Sequence, residues 1–172
     1  SMKEYLPHHH FHRVTDITPD MLRGMGASAV GVDADNTIII DSSYHRFIPG
    51  ALEWIESLKA AGIPVILVSN TNTYRAKCIS KQIGTDYIAY SKKPKPDAVF
   101  EAARRLGTDV GSFAMIGDQL FADVTAANRA GAISVLVDFY QKEAWTYIYY
   151  APRRRREARV LAEIQGGLPY DG

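Results

Sequence analysis

Acidic, hydroxyl, amide and ammonium side chains recur where short apolar runs stop. Asp33 and Asp35 follow Ala29-Val-Gly-Val, Ser69 and Asn70 follow Pro64-Val-Ile-Leu-Val, and Lys92-Lys93-Pro94-Lys95-Pro96 comes shortly after Tyr87-Ile-Ala-Tyr90. Gly117 and Asp118 end Phe113-Ala-Met-Ile, with Asp123 five residues beyond Asp118. Carboxylates gathered at one edge repel each other unless a proton or a cation holds them. A hard divalent ion with oxygen ligands does this, and Mg2+ prefers a small octahedral site of one or two carboxylates, phosphate oxygens and water. The neighbouring Ser69, Asn70 and lysines supply donors for phosphate oxygens. The set reads as a phosphoryl-transfer centre with Mg2+ as cofactor and a phosphorylated substrate.

The elements that must position these residues follow from periodicity. The apolar runs ending near 33, 69, 90 and 117, and a fifth at Ile133-Ser-Val-Leu-Val137, are continuous rather than alternating, as in strands buried on both faces. Helical stretches lie between them. Pro49 opens the first, Leu52, Ile55 and Leu58 give it an apolar face, and Gly62 closes it. Thr73 caps a second that ends at Gly84, Pro96 opens a third that ends at Gly107, and Phe121 to Ala130 form a fourth before Gly131. The alternation predicts an α/β Rossmannoid fold: an open parallel sheet of about five strands, with right-handed crossovers and helices on both faces. Ligands of such sheets bind beyond the carboxyl ends of the strands, where the chemical residues stand. Residues 14–165 are expected to form one domain, with an N-terminal arm over 1–13 and a tail over 166–172.

Composition bounds the rest. A chain of 172 residues, 47% hydrophobic and 23% charged, can bury one sizeable core. The longest aliphatic stretches fall far short of the ~20 residues that span a bilayer, and the start has no signal-peptide core, so a cytoplasmic location is expected. The single Cys78 excludes an internal disulfide and reads as helix packing. Net charge is +1, but residues 151–160 alone carry +4 and leave −3 for the rest, an acidic body that argues against nucleic acid. His8, His9, His10 and His12 fall in the expected arm, without acidic partners nearby in sequence, and are not read as a physiological metal site.

The run DxDNT at 33, SN at 69, KPxP at 93 and GDQxxxD at 117 resembles the four motifs of the haloacid dehalogenase superfamily of phosphotransferases, over roughly residues 14–140. Within it the sequence is similar to the small YqeG-like phosphatases, relatives of the phosphatidylglycerophosphate phosphatases of mitochondria and plastids. The wording that carries this is Asp35-Asn36-Thr37 where many members have Asp-Gly-Thr, Gly117-Asp118-Gln119-Leu120, and the early Thr15-Asp16-Ile17-Thr18-Pro19.

The resemblance implies roles that physical chemistry supports. Asp33 attacks phosphorus and forms an aspartyl-phosphate, dividing one hard hydrolysis into two easier steps. Asp35 protonates the leaving alcohol and then deprotonates the attacking water. Mg2+ is held by the carboxylates of Asp33 and Asp118 and the main-chain carbonyl of Asp35, with Asp123 orienting a water on the metal or Lys93. Ser69 and the Asn70 N–H hold phosphate oxygens, and Lys93, with Lys95 as the alternative, supplies fixed positive charge. Each piece also has a bland reading: a capping Asp in a turn, a solvated lysine loop, an ordinary strand exit. Their joint occurrence at successive strand ends favours chemistry.

About a dozen residues, 37–48, separate the nucleophile segment from the next helix, and the 23 between Ser69 and Lys93 already hold a helix and a strand. No cap domain fits, so the substrate is large or presented on a surface, or a partner subunit of a homo-oligomer roofs the site. The alternatives are a sugar-acid or nucleotide phosphatase roofed by oligomerisation, and a non-catalytic binding module of this fold. Six aromatics, Phe139, Tyr140, Trp145, Tyr147, Tyr149 and Tyr150, precede Arg153 to Arg156 and Arg159. Aromatics and basic residues favour the interface of an anionic membrane, giving a lipid phosphate as one substrate class. The competing reading is a final helix whose arginines face water while Val160, Leu161 and Ile164 turn inward.

Overall fold

The computed structural model describes residues 2–140, 144–165 and 170–171, with the backbone alone over 144–150 and at 165. Its strands are β1 (His9–Phe11), β2 (Ala29–Val32), β3 (Val65–Val68), β4 (Asp86–Ile88), β5 (Phe113–Gly117) and β6 (Ile133–Val137). They make one parallel sheet in the order β1-β6-β5-β2-β3-β4. From β2 the chain winds outward through β3 and β4, then returns to the other side for β5 and β6. The reversal leaves a crevice between the carboxyl ends of β2 and β5, where Val32 pairs with Ile116. Asp33 and Asp118 follow there, and the Asp33 N–H still donates to the Ile116 carbonyl at 3.0 Å.

Both faces are covered. α2 (Ala51–Ala60) and α3 (Thr73–Ile83) pack Trp54, Ile55, Leu58, Ile79 and Ile83 against Val65, Leu67, Ala114 and Ile116. α4 (Asp97–Arg105) and α5 (Thr125–Ala130) pack Val99, Ala102, Ala126 and Ala127 against Ile66, Val68, Phe113 and Met115. Adjacent residues of β3 thus serve opposite cores, which is why its apolar run is continuous. α1 (Pro19–Gly24) precedes β2, and α6 (Ala144–Gln165) follows β6 with Pro152 inside it. No cap domain is present among the described residues.

Several expectations need correction. The sheet has six strands, because the expected arm contributes one: His9, His10 and Phe11 pair with Val135, Leu136 and Val137. A three-residue edge strand reading His-His-Phe has no alternation to reveal it, and its partner lies far along the chain. The histidines also have acidic partners, since His10 Nε2 and His12 Nδ1 lie 2.9 and 3.0 Å from the two carboxylate oxygens of Asp138. The cap of α3 is Asn72, whose side chain accepts from the Arg75 N–H at 2.9 Å, and α2 starts at Ala51, after Gly50 rather than at Pro49. The fourth helical stretch begins as a π turn, Leu120–Val124, before α5. Val160 and Leu161 pack on Leu120, Val124 and Leu136, as an inward face of a final helix requires. The side chains of Trp145, Tyr147, Tyr149 and Tyr150, and residues 166–169 of the tail, lie outside the described residues.

Candidate active site

Asp33 ends β2 as a nearly buried carboxylate, 7% exposed. The Lys93 ammonium donates to Asp33 Oδ1 at 3.0 Å, to Asp123 Oδ1 at 2.6 Å and to the Val68 carbonyl at 2.8 Å, so all three of its protons have acceptors. Lys93 reaches this point because Asn70 brackets its backbone. Asn70 Oδ1 accepts from the Lys93 N–H at 3.1 Å and from Ser91 Oγ at 2.5 Å, and Asn70 Nδ2 donates to the Lys93 carbonyl at 3.2 Å. Lys95, two residues on, is exposed and faces a different cavity. Asp123 is aimed by the π turn, with Oδ2 accepting from the Gln119 N–H at 3.0 Å. Gly117 makes this approach possible, since a Cβ there would overlap the Asp123 carboxyl group.

Asp118 and Asp35 have partners that sequence reasoning missed. Asp118 Oδ1 accepts from Thr37 Oγ1 at 3.2 Å, while Arg154 of α6 ion-pairs with its carboxylate and donates to its main-chain carbonyl at 2.9 Å. Asp35 turns away from the acidic group: Arg75 grips its two oxygens at 2.7 and 2.8 Å, and the Ser42 N–H adds a bond at 2.9 Å. Arg75 also donates to the Ser43 carbonyl, at 3.0 Å from Nε and 2.7 Å from Nη2. Nothing in Thr73-Tyr74-Arg75 marks a site residue, whereas the arginine run did mark Arg154, though as surface. Asn36, between Asp35 and Thr37, has φ of 67°, a left-handed conformation that Asn tolerates better than most side chains and that Gly would also adopt.

The electrostatics follow from burial. Burial, then the Asp123 charge, pushes the Asp33 carboxyl well above the usual aspartate range, with Lys93 opposing. Burial likewise raises Asp123 against the pull of Lys93. Burial works against the Lys93 charge, but Asp123 and Asp33 outweigh it and hold the ammonium protonated. Arg154 behaves alike, with Asp118 overcoming its burial.

Asp33, Lys93 and Asp123 line a cavity of about 510 Å³ that also receives Asp35, Ser69, Asn70, Arg75, Arg153 and Arg154. One carboxylate oxygen each from Asp33, Asp118 and Asp123 falls within 4.8 Å of the others, and all three residues are buried. That oxygen-only, multiply anionic set fits a hard divalent cation, as does the buried Asn36 Oδ1 on the same lining, which lacks a hydrogen-bond partner among the described residues. The Asp35 side chain is outside this group, leaving only its carbonyl for a metal.

A parallel sheet with a switch-point crevice holding this acidic and cationic set defines a hydrolase of the haloacid dehalogenase kind. The haloacid dehalogenase-like hydrolase profile matches residues 15–131, and the chain belongs to that family as one of its phosphatases. The probable phosphatase YqeG of Bacillus subtilis is 33% identical over 135 residues, 78% of each chain. The chloroplastic/mitochondrial phosphatidylglycerophosphate phosphatase 1 of Arabidopsis thaliana is 25% identical over 172 residues, 95% of this chain but 49% of that one, so this chain spans about half its length. A crystal structure of D,D-heptose 1.7-bisphosphate phosphatase from B. bronchiseptica shares the fold, with a TM-score of 0.55 at 22% identity over 63% of this chain and 79% of that one.

Proposed function

We propose that this phosphatase is a Mg2+-dependent phosphomonoesterase working through an aspartyl-phosphate on Asp33, with a lipid phosphate such as phosphatidylglycerophosphate as substrate. The carrying observation is the Lys93 ammonium joining Asp33 to Asp123 at the floor of the cavity. Lys93 leaves Asp33 Oδ2 clear of its grip and supplies positive charge beside it. Ser69 Oγ and the Asn70 N–H stand on the next strand end to receive phosphate oxygens.

Asp33 attacks phosphorus in line, the bond to the leaving oxygen breaks, and Asp35 gives that oxygen a proton. Water then attacks the phosphoryl group, Asp35 takes its proton, and phosphate leaves with Asp33 restored. A divalent cation on Asp33, Asp118 and Asp123, with the Asp35 carbonyl, would neutralise charge on the transferring group. Arg75 and the Ser42 N–H position the Asp35 carboxylate on the cavity lining, where the leaving oxygen arrives.

The likeness to a phosphatidylglycerophosphate phosphatase along 95% of this chain supports the lipid substrate. So do the absence of a cap domain among the described residues and the exposed Arg155, Arg156 and Arg159 on α6, which suit peripheral contact with an anionic membrane. No helix among the described residues is long and apolar enough to cross a membrane. Phosphate release with Mg2+ should be fastest on micellar phosphatidylglycerophosphate within a panel of lipid and soluble phosphoesters, and should stop in excess chelator. Full activity in chelator would overturn the metal, and a strong preference for sugar or nucleotide phosphates would overturn the lipid.

A further inference from the structure

Four cationic side chains line the cavity: Arg75, Lys93, Arg153 and Arg154. Three are closed on carboxylates, Arg75 on Asp35, Lys93 on Asp33 and Asp123, and Arg154 on Asp118. Among the described residues Arg153 has no carboxylate within ion-pair distance, although its charge acts on Glu157. The acid one turn along α6, Glu157, accepts from the Phe121 N–H at 2.7 Å and lies 3.6 Å from Arg154 Nη1. Arg153 is exposed at the rim, whereas the Lys93 side chain on the floor is 1% exposed.

The stretch of α6 that carries Arg153 is also anchored. Its neighbour Arg154 ties α6 to Asp118 and lies over the Phe139 ring, 4.6 Å from the centroid, and Glu157 ties the next turn to the π turn carrying Asp123. α6 therefore holds one guanidinium over the outer part of a cavity whose floor takes the phosphoryl group. At about 510 Å³, that cavity has room for much more of a substrate than its phosphate.

We propose, on the phosphomonoesterase reading above, that Arg153 is a specificity residue that binds a second anionic group, a carboxylate or a phosphodiester, on the alcohol portion of the substrate. A guanidinium fork takes either group through two parallel hydrogen bonds, and a lysine replaces the charge without that fork. Arg153 is exposed while Asp33 and Lys93 are buried, so its contribution is to binding and is read in KM more than in kcat.

The test compares wild type, Arg153→Gln and Arg153→Lys in the full chain with Mg2+, on three phosphomonoesters. Glycerol phosphate has an uncharged alcohol, phosphoglycolate adds a carboxylate, and phosphatidylglycerophosphate in non-ionic micelles adds a phosphodiester. Arg153→Gln should lower kcat/KM on an anionic alcohol about tenfold, mainly through KM, and on glycerol phosphate much less, with Arg153→Lys intermediate. A loss confined to phosphoglycolate assigns the group to soluble acids, and one confined to the micelles assigns it to the lipid diester. Equal losses on all three substrates, or no loss on either anionic one, would overturn the proposal. If wild type hydrolyses none of the three or an aryl phosphate, the phosphomonoesterase reading itself falls, and the subsite with it.

Discussion

The Arg75 guanidinium closes on both oxygens of Asp35, at 2.7 and 2.8 Å, and is itself held by the Ser43 carbonyl. Arg75 is almost fully buried, so its fork fixes the direction in which the Asp35 carboxylate points. Arg75→Lys keeps the charge and loses the fork. Turnover of an alkyl phosphate should fall about tenfold or more with little change in KM, and turnover of an aryl phosphate, whose leaving group needs less protonation, should fall less. The double variant with Asp35→Asn should be no slower than Asp35→Asn alone, because both changes disable one device. Additive losses would make Arg75 merely structural.

Asp33→Asn removes the proposed nucleophile and a buried charge together. Activity should fall by about a thousandfold or more. Because burial and Asp123 raise the Asp33 carboxyl above its usual range, its ionised form costs stability at neutral pH, and the amide relieves that cost. In thermal unfolding at pH 7 without divalent ions, the variant should therefore melt no lower than wild type. A clear drop would mean that the Lys93 contact outweighs the burial of the charge.

Gly117→Ala tests the packing beneath Asp123. The new Cβ would collide with the Asp123 carboxyl group, pushing it off Lys93 and the Gln119 N–H. Destabilisation of about 1–3 kcal/mol is expected, with loss of activity. Gly111→Ala is the control, since nothing lies within 4 Å of a Cβ there. Denaturant unfolding that ranks the two variants as equals would contradict this account.

Much of this architecture was legible because both-face burial writes itself as continuous apolar runs. β2, β3, β5 and β6 each lie inside such a run, and their ends place Asp33, Ser69 and Asp118 on one edge. β1 was not legible, because three residues paired with a strand more than a hundred positions away leave no periodic trace. Asp123 and Lys93 were visible as types at a spacing, but their meeting depends on the Asn70 bracket and the side-chain-free Gly117, which only three dimensions show. In sequence the basic run reads as one surface, whereas helical geometry splits it. Arg154 turns to Asp118 while Arg155 and Arg156 stay exposed.

Asp138 locks the edge strand β1 to the end of β6, and that lock should be sensitive to acid. His10 Nε2 at 2.9 Å, His12 Nδ1 at 3.0 Å and Tyr170 Oη at 2.9 Å all meet its carboxylate. Burial alone would raise Asp138, but the hydrogen bonds from His10 and Tyr170 outweigh it and hold the group below the ordinary aspartate value of 3.8. The folded state therefore binds this proton less readily than the unfolded chain. The resulting stabilisation is fully present above the ordinary value and is lost as pH falls through the lower folded value. Wild type should exceed Asp138→Asn in unfolding free energy at about pH 5, and the gap should close as the pH approaches about 2. Denaturant titrations of both proteins across that range measure the gap directly. A gap that stays constant to the acid end would show that the carboxylate contributes through packing rather than charge.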